Sequence, residues 1–390
     1  MHDPLENLDN KKTLENIKIC HVITSLSVIG GAQRVLLRLL LADPETTDKK
    51  MVLVMRRAGA WGKQLELAGV TVHELGMDSM LDLPSAYGRL KKFMISFEPD
   101  IVQTWMYHAD LMGGLAARLN GFNNIIWGLR VAAVPANNLL TIVIMKICAY
   151  LSRWIPKKIV CVAEAARIIH INYGYDAARM AVIHNGFDFS EFNVSQEQTA
   201  TIRQECQLSE KDFVVGWAGR FHPDKGQENI IKAAAIVLRT RPKIRFLLMG
   251  TDCDANNATL MRWLIDNGVQ DNFILLGERD DIPACLTVMD LFCLPSRNEG
   301  FPNALGEAMA MGLPCVSTLV GDADILVGDT GILVQPEDEQ ALAEGLLKAL
   351  ALTDAQRQQM GKRAKKRVMS EFTIEKVSDR FHEIYREMVS

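Results

Sequence analysis

The chain has 390 residues, 48% apolar and 23% charged, with a formal net charge of −4. That length exceeds a usual single core, so two domains of ordinary size are expected, and the apolar content excludes disorder beyond the first dozen polar residues. The charge is uneven: residues 1–190 carry 21 Lys and Arg against 17 Asp and Glu, and the remainder carries 22 against 30. An acidic second half argues against nucleic acid as a general partner, while a mildly basic first half suits an anionic acceptor or lipid surface.

Residues 1–10 are acidic and polar, without the basic-then-apolar layout of a secretory signal, so a cytoplasmic location is expected. Strand-like apolar runs follow at 17–23, 51–55, 70–75, 101–104, 125–128 and 158–162, with helical patterns between them at 32–41, 83–97 and 111–120. The segment Leu139–Leu151 (LLTIVIMKICAYL) is too short to span a membrane, since a span takes about 20 residues, and it carries Lys146. It reads as a buried helix, or as a helix with one face on a membrane surface flanked by Arg153, Lys157 and Lys158. The strand series restarts at 213–218, 244–250, 273–277, 291–295 and 314–318, separated by helical stretches at 227–239, 258–267, 281–288 and 303–311. Alternation of this kind predicts α/β architecture, two doubly wound parallel sheets with helices on both faces. The polar segment 189–207 begins with a linker between them. Eight cysteines (20, 148, 161, 206, 253, 285, 293 and 315) form no Cys-x-x-Cys pair and read as buried free thiols of a reducing compartment.

Ligands bind at the carboxyl ends of parallel strands, so motifs there carry weight. Gly30-Gly31-Ala32-Gln33-Arg34 lies between the first strand and the first helix, where its glycines can turn backbone amides to a phosphate or simply make a turn. It is not a G-x-G-x-x-G nucleotide fingerprint, and no G-x-x-x-x-G-K-[ST] is present. His108, after the fourth strand, can bond a sugar hydroxyl or be structural; Asp110 beside it pairs with it or caps the next helix. Arg220 and Lys225 leave one loop, Gly219 to Gly226, so both cations can converge on a diphosphate and replace a metal, unless the loop is only a solvated basic turn. Asp252-Cys253-Asp254 has the Asp-x-Asp form of a metal site but reads as a polar loop. Glu299 and Glu307 bracket the helix start predicted at 303, where Gly300 and the first-turn amides suit an anion and two carboxylates suit hydroxyls. Ser296-x-x-Glu299 also fits a capping box.

Together these motifs, with Asn185-Gly186-Phe187-Asp188, occur in the order found in family-four glycosyltransferases, and the chain resembles a retaining enzyme of the GT-B fold over nearly its whole length. That resemblance implies two Rossmann-like domains facing across a cleft: an acceptor-side domain at 1–190, a nucleotide-sugar domain at 191–370, and a C-terminal helix at 371–390 crossing back to the first. It implies a nucleotide diphosphate sugar as donor, UDP ahead of GDP, a hexose or N-acetylhexosamine as the moved group, and a saccharide or lipid-linked acceptor in bacterial surface polysaccharide synthesis. A sugar-nucleotide epimerase and a donor-binding subunit without turnover are the alternatives. Arg220 and Lys225 would bind the diphosphate, Glu299 the sugar hydroxyls and Glu307 the ribose. Gly30 and Gly31 would approach the diphosphate, Gly300, Phe301, Pro302 and Asn303 would line the sugar-phosphate pocket, and His108 would sit beside the donor sugar. Arg130, after the fifth strand, is a candidate acceptor contact. The resemblance implies no metal and no cofactor, no nucleic-acid partner, and peripheral contact with the inner face of the cytoplasmic membrane.

Overall fold

Strands β1 (Ile19–Ile23), β2 (Lys50–Val54), β4 (Ile101–Trp105) and β5 (Ile125–Leu129) are buried at every residue. Strands covered on both faces read as mainly apolar runs, interrupted here only by His21, Lys50, Gln103 and Thr104, which is why they stand out in the sequence. The computed structural model describes residues 16–27, 30–132 and 138–390, apart from the side chain of Met80; the acidic stretch 1–10 lies outside them. With β3 (Thr71–Glu74), β6 (Lys158–Cys161) and β7 (Met180–Val182) these strands form a parallel sheet of order β3-β2-β1-β4-β5-β6-β7. The sequence reading missed β7, an edge strand of three half-buried residues, too short to carry a periodic signal. The helix expected at 111–120 is a π-helical turn, Asp110–Gly114, followed by a helix at Leu115–Leu119.

This sheet belongs to a first unit made of Met1–Gly186 with Ile374–Ser390. The terminal helix Ile374–Val389 places Ile374, Val377, Phe381, Ile384, Tyr385 and Met388 in the same core as β1, β2 and β4. That three-and-four spacing makes one apolar face. Polar contacts fix the helix at the amino-terminal edge of the strands. Ser378 Oγ donates to Asp43 Oδ2 (3.0 Å), His382 Nε2 lies 3.1 Å from the same oxygen, and Tyr385 OH donates to Gln103 Oε1 (2.5 Å). The buried Lys50 ammonium stands 3.7 Å from Asp43 and donates to the Leu40 carbonyl.

The hydrogen bond from His382 above all, then the charges of His382 and Lys50, hold the Asp43 carboxyl below its ordinary value against the opposing effect of burial. A carboxylate depressed in the folded state adds stability above its unfolded value near 4, and that stability is lost as pH falls through the folded value. Asp43→Asn is therefore expected to lower the melting temperature at neutral pH and to flatten its decline on acidification below pH ~4. Parallel acid-melting curves for variant and wild type would show instead that Asp43 does not contribute.

The second unit spans Phe187–Thr373. Its strands are β8 (Val214–Ala218), β9 (Arg245–Met249), β10 (Phe273–Leu275), β11 (Leu291–Leu294), β12 (Cys315–Thr318) and β13 (Ile332–Val334), all parallel, in the order β10-β9-β8-β11-β12-β13. Strand β13, again a short half-buried edge strand, was not foreseen. The two units divide at Gly186/Phe187 and Thr373/Ile374, so residues 187–190 and 371–373 belong to the second. All eight cysteines are buried and unbridged, and burial pushes their thiols up, most strongly at Cys20, Cys148, Cys293 and Cys315.

Candidate active site

In the second unit the strand order reverses between β8 and β11. Loops leaving the carboxyl ends of strands at such a reversal cannot cover each other, and they leave a crevice open to a ligand. The loop after β8 carries Arg220 and Lys225; the loop after β11 carries Ser296, Glu299 and Gly300. The structure brings them into contact. Lys225 Nζ donates to both carboxylate oxygens of Glu299, at 2.7 and 2.9 Å, and Ser296 Oγ donates to Oε1 at 2.8 Å. With side-chain exposures of 27% and 10%, the pair is shielded enough to be stronger than a surface ion pair.

Backbone contacts hold the two loops in register. The Arg297 amide donates to the Asp224 carbonyl (2.7 Å), and the Asp322 amide, in the loop after β12, donates to the Gly300 carbonyl (3.0 Å). Gly321 adopts φ +54°, and a Cβ there would lie 2.3 Å from the Gly300 oxygen, so the third loop presses directly on the second. The sequence reading passed over Gly321; the end of a parallel strand was the available signal. Arg220 is exposed, and its carbonyl accepts from Gln227 Nε2 (2.8 Å).

The helix after this loop is Asn303–Ala310, with Pro302 at its N-cap and no side-chain cap. Ser296 and Glu299 therefore form no capping box: they lie several residues before the helix, and the serine hydroxyl bonds the glutamate directly. A helix N-terminus carries a partial positive charge that favours an anion placed before it. Glu307 lies one turn into that helix and is 6% exposed. Phe301 is buried, its ring 6.3 Å from that of Phe187 and 5.5 Å from that of Phe372, so the phenyl group belongs to the core and only backbone can face a ligand.

The first unit repeats the topology, with the reversal between β1 and β4. Gly30 is the extended N-cap (φ −119°, ψ 178°) of helix Gly31–Leu41, and no side chain caps it. His108 follows β4 in the short turn Tyr107–Ala109, reached through Met106 at φ +74°, a strained value for a residue with a side chain. Both motifs thus stand at the carboxyl edge beside the reversal. Burial first, then the Arg56 guanidinium, holds the His108 imidazole below its ordinary value, so it is neutral at neutral pH. Asp110 neither caps a helix nor pairs with His108: it is fully buried, its Oδ1 accepts from Thr104 Oγ1 (2.5 Å), and burial raises its pKa well above its ordinary value.

Arg130 is also placed differently from the expectation of an acceptor contact. Its guanidinium is buried 4.8 Å from the Trp105 ring and 5.7 Å from that of Phe381, and Nη1 donates to Asn185 Oδ1 (3.3 Å). Burial lowers its pKa to about 10, which leaves it a cation that faces aromatic rings and braces the terminal helix. Asp252 and Asp254 lie in a polar turn lining a cavity of about 390 Å³ with Phe221, Asn256 and Asn257; Asp254 Oδ1 accepts from the Asn256 amide (2.7 Å). Among the described residues no cluster of three or more His, Cys, Asp or Glu side chains could hold a metal ion.

Two family models match: glycosyltransferase family 4 over residues 29–191 and glycosyl transferases group 1 over residues 212–351. The first covers the first sheet from β2 onward with its motifs, and the second covers the whole second sheet and its motifs. The chain belongs to the family-four glycosyltransferases. This glycosyltransferase is 26% identical to the Escherichia coli UDP-Gal:alpha-D-GlcNAc-diphosphoundecaprenol alpha-1,3-galactosyltransferase over 97% of the chain and 99% of the relative. It is 25% identical to the Staphylococcus aureus capsular polysaccharide biosynthesis glycosyltransferase CapM, over 83% and 87% respectively. Among solved structures, Anabaena HepE in complex with UDP matches with a TM-score of 0.81 and 23% identity over 94% of this chain and 99% of that one. WaaG, a glycosyltransferase of lipopolysaccharide biosynthesis, matches at 0.69 and 16% over 93% and 98%. The fold is GT-B, built from two Rossmann-like units. Among the described residues, no helix of the glycosyltransferase is long and apolar enough to cross a membrane.

Proposed function

We propose that this glycosyltransferase moves a hexose or N-acetylhexosamine from a UDP-sugar to a lipid-linked or polysaccharide acceptor with retention at the anomeric carbon. The observation that carries the reading is the Lys225–Glu299 pair at the strand reversal of the second unit. An ammonium has three N–H donors. Two are spent on the Glu299 oxygens, and the third is left for a phosphate oxygen, so Lys225 ties the sugar-binding carboxylate to the diphosphate. Arg220 supplies a second cation, and the helix Asn303–Ala310 adds its amino-terminal dipole. Glu307, deeper in that helix, takes the ribose. UDP-bound HepE and the E. coli UDP-Gal enzyme support UDP as the base, and the latter's diphosphoundecaprenol acceptor supports a lipid-linked one.

In the reaction the bond from the anomeric carbon to the diphosphate breaks while the acceptor oxygen attacks from the same face. The acceptor proton passes to the departing phosphate oxygen, and UDP carries away the negative charge. Lys225, Arg220 and the helix amides stabilise that charge without reorganising. No metal is required by this arrangement of cations.

A thermal-shift screen with UDP, GDP and ADP sugars is expected to single out UDP, and turnover of the UDP-sugar with a diphosphate-linked saccharide is expected to persist in EDTA. Conversion of the nucleotide sugar without an acceptor would assign an epimerase instead. Glu307→Ala, with Glu307→Gln to preserve volume, is expected to raise the donor KM while sparing kcat. A loss of kcat at unchanged KM would contradict the ribose assignment.

A further inference from the structure

In the turn after β4 only one side chain approaches the surface: His108 is half-buried, while Tyr107, Ala109 and Asp110 are buried. The turn is entered through Met106 at φ +74°, and a residue with a side chain keeps such a conformation only where its surroundings hold it there. Four buried polar side chains supply the hold. Thr104 Oγ1 donates to Asp110 Oδ1 (2.5 Å), the Asp110 amide donates to the Met106 carbonyl (2.8 Å), and the Met106 amide donates to the Gly128 carbonyl in β5 (2.9 Å). The other side of the turn is tied to helix Glu164–Asn172. There His170 Nδ1 lies 2.6 Å from the Ala166 carbonyl, which can only accept, so the proton is on Nδ1 and Nε2 is the acceptor. Tyr107 OH therefore donates to His170 Nε2 (2.7 Å), and the Tyr107 carbonyl accepts from Cys148 Sγ (3.6 Å).

Stability alone does not call for this network, because apolar side chains of the same shape would fill the interior at least as well. Hydrogen bonds add direction, and a buried polar network selects one arrangement. Asp110 shows the cost. Its Oδ2 has no hydrogen-bond partner among the described residues, and burial, which raises its pKa well above the ordinary value, favours the neutral acid. Thr104, Tyr107, Asp110 and His170 are all too deeply buried to touch a ligand, and the accessible side chain whose position they determine is His108. The chain leaves the turn through the π-helical segment Asp110–Gly114, a rare form that recurs at functional sites.

We propose that Tyr107, held by His170, and Asp110, held by Thr104, are positioning residues that fix the His108 imidazole in one pose at the carboxyl edge of the first sheet, the pose that sugar transfer uses. This rests on the reading of the protein as a transferase with His108 in its site. The network touches no substrate, so its loss slows the chemical step and leaves donor binding in place. A misplacement of about 1 Å in a reacting site costs up to roughly 10²-fold in rate.

The test joins steady-state kinetics of the full chain, with a UDP-sugar and a diphosphate-linked saccharide, to NMR of isotope-labelled histidines, in which the His108 signal is the one missing from His108→Ala. All variants are assayed well below their melting temperatures. Tyr107→Phe and Thr104→Val, which each remove one hydroxyl, are expected to lower kcat about fivefold or more with the donor KM within about twofold of wild type. In the His108→Ala background either change is expected to lower kcat less than about twofold, because no imidazole is left to place. Asp110→Asn, which keeps an uncharged acceptor for Thr104, is expected to retain most of the kcat that Asp110→Leu loses. Wild type is expected to give one sharp His108 ring signal, and Tyr107→Phe a broadened or doubled one. The NMR measurement needs no turnover, so failure of the transferase reading and failure of this proposal are told apart. Equal fold losses with and without His108, or a His108 signal unchanged in both hydroxyl variants, would overturn the proposal.

Discussion

Lys225→Ala is expected to lower turnover at least tenfold in a protein that remains folded. The ammonium sits where it serves two groups, the Glu299 carboxylate at 2.7 and 2.9 Å and, through its third donor, a diphosphate oxygen. A preorganised donor aimed at developing charge contributes about 2.7–4 kcal/mol, which by itself corresponds to roughly 10²- to 10³-fold. The loss also leaves Glu299, nearly buried, with the Ser296 hydroxyl but without its cation. An uncompensated carboxylate costs about 1–3 kcal/mol of stability. The catalytic and structural parts separate in the double variant Lys225→Ala with Glu299→Ala, which regains stability but not turnover. Near-normal turnover in folded Lys225→Ala would remove Lys225 from the site.

Gly226→Ala is expected to destabilise the protein by about 3 kcal/mol or more and to abolish most activity. Gly226 closes the turn Pro223–Lys225 and opens helix Gln227–Leu238 at φ +70°, ψ +27°. A Cβ in this left-handed conformation costs about 1–2 kcal/mol. At this position it would also stand 2.0 Å from the Pro295 carbonyl oxygen, the residue before Ser296, and a backbone oxygen held by a strand end cannot swing aside. The alanine must therefore wedge apart the loops that carry Lys225 and Glu299. Gly268→Ala is the control: it shares the positive φ, at +65°, but a Cβ there meets nothing within 4 Å. Gly226→Ala should lower the melting temperature by roughly 6–12 °C, with Gly268→Ala well short of that and fully active. Equal shifts and equal activity in the two variants would show that the contact with Pro295 sets nothing.

The α/β class and the two sheets were legible because parallel strands buried on both faces produce continuous apolar runs, as at β5, β8 and β11. The edge strands β7 and β13 were not, because three half-buried residues carry no period. Motif chemistry was legible where residue type is restrictive: Lys225 and Glu299 are far apart in sequence, yet each stood out at a strand end. Residue type misled where burial decides the role. Arg130 follows β5 as an acceptor contact would, but the aromatic rings of Trp105 and Phe381 take its guanidinium, and Asp110 is drawn into the interior by Thr104.

The sequence by itself determined the alternation of strands and helices, the loops that carry cations and carboxylates, and the family to which their order points. Only the tertiary structure decided that the loop after β8 meets the loop after β11. That contact follows from the strand order, in which non-consecutive strands become neighbours, and local pattern contains no information about which strands pair. Likewise the apolar pattern of Leu139–Leu151 indicated a helix; which of its sides is left open depends on what the rest of the chain packs against it.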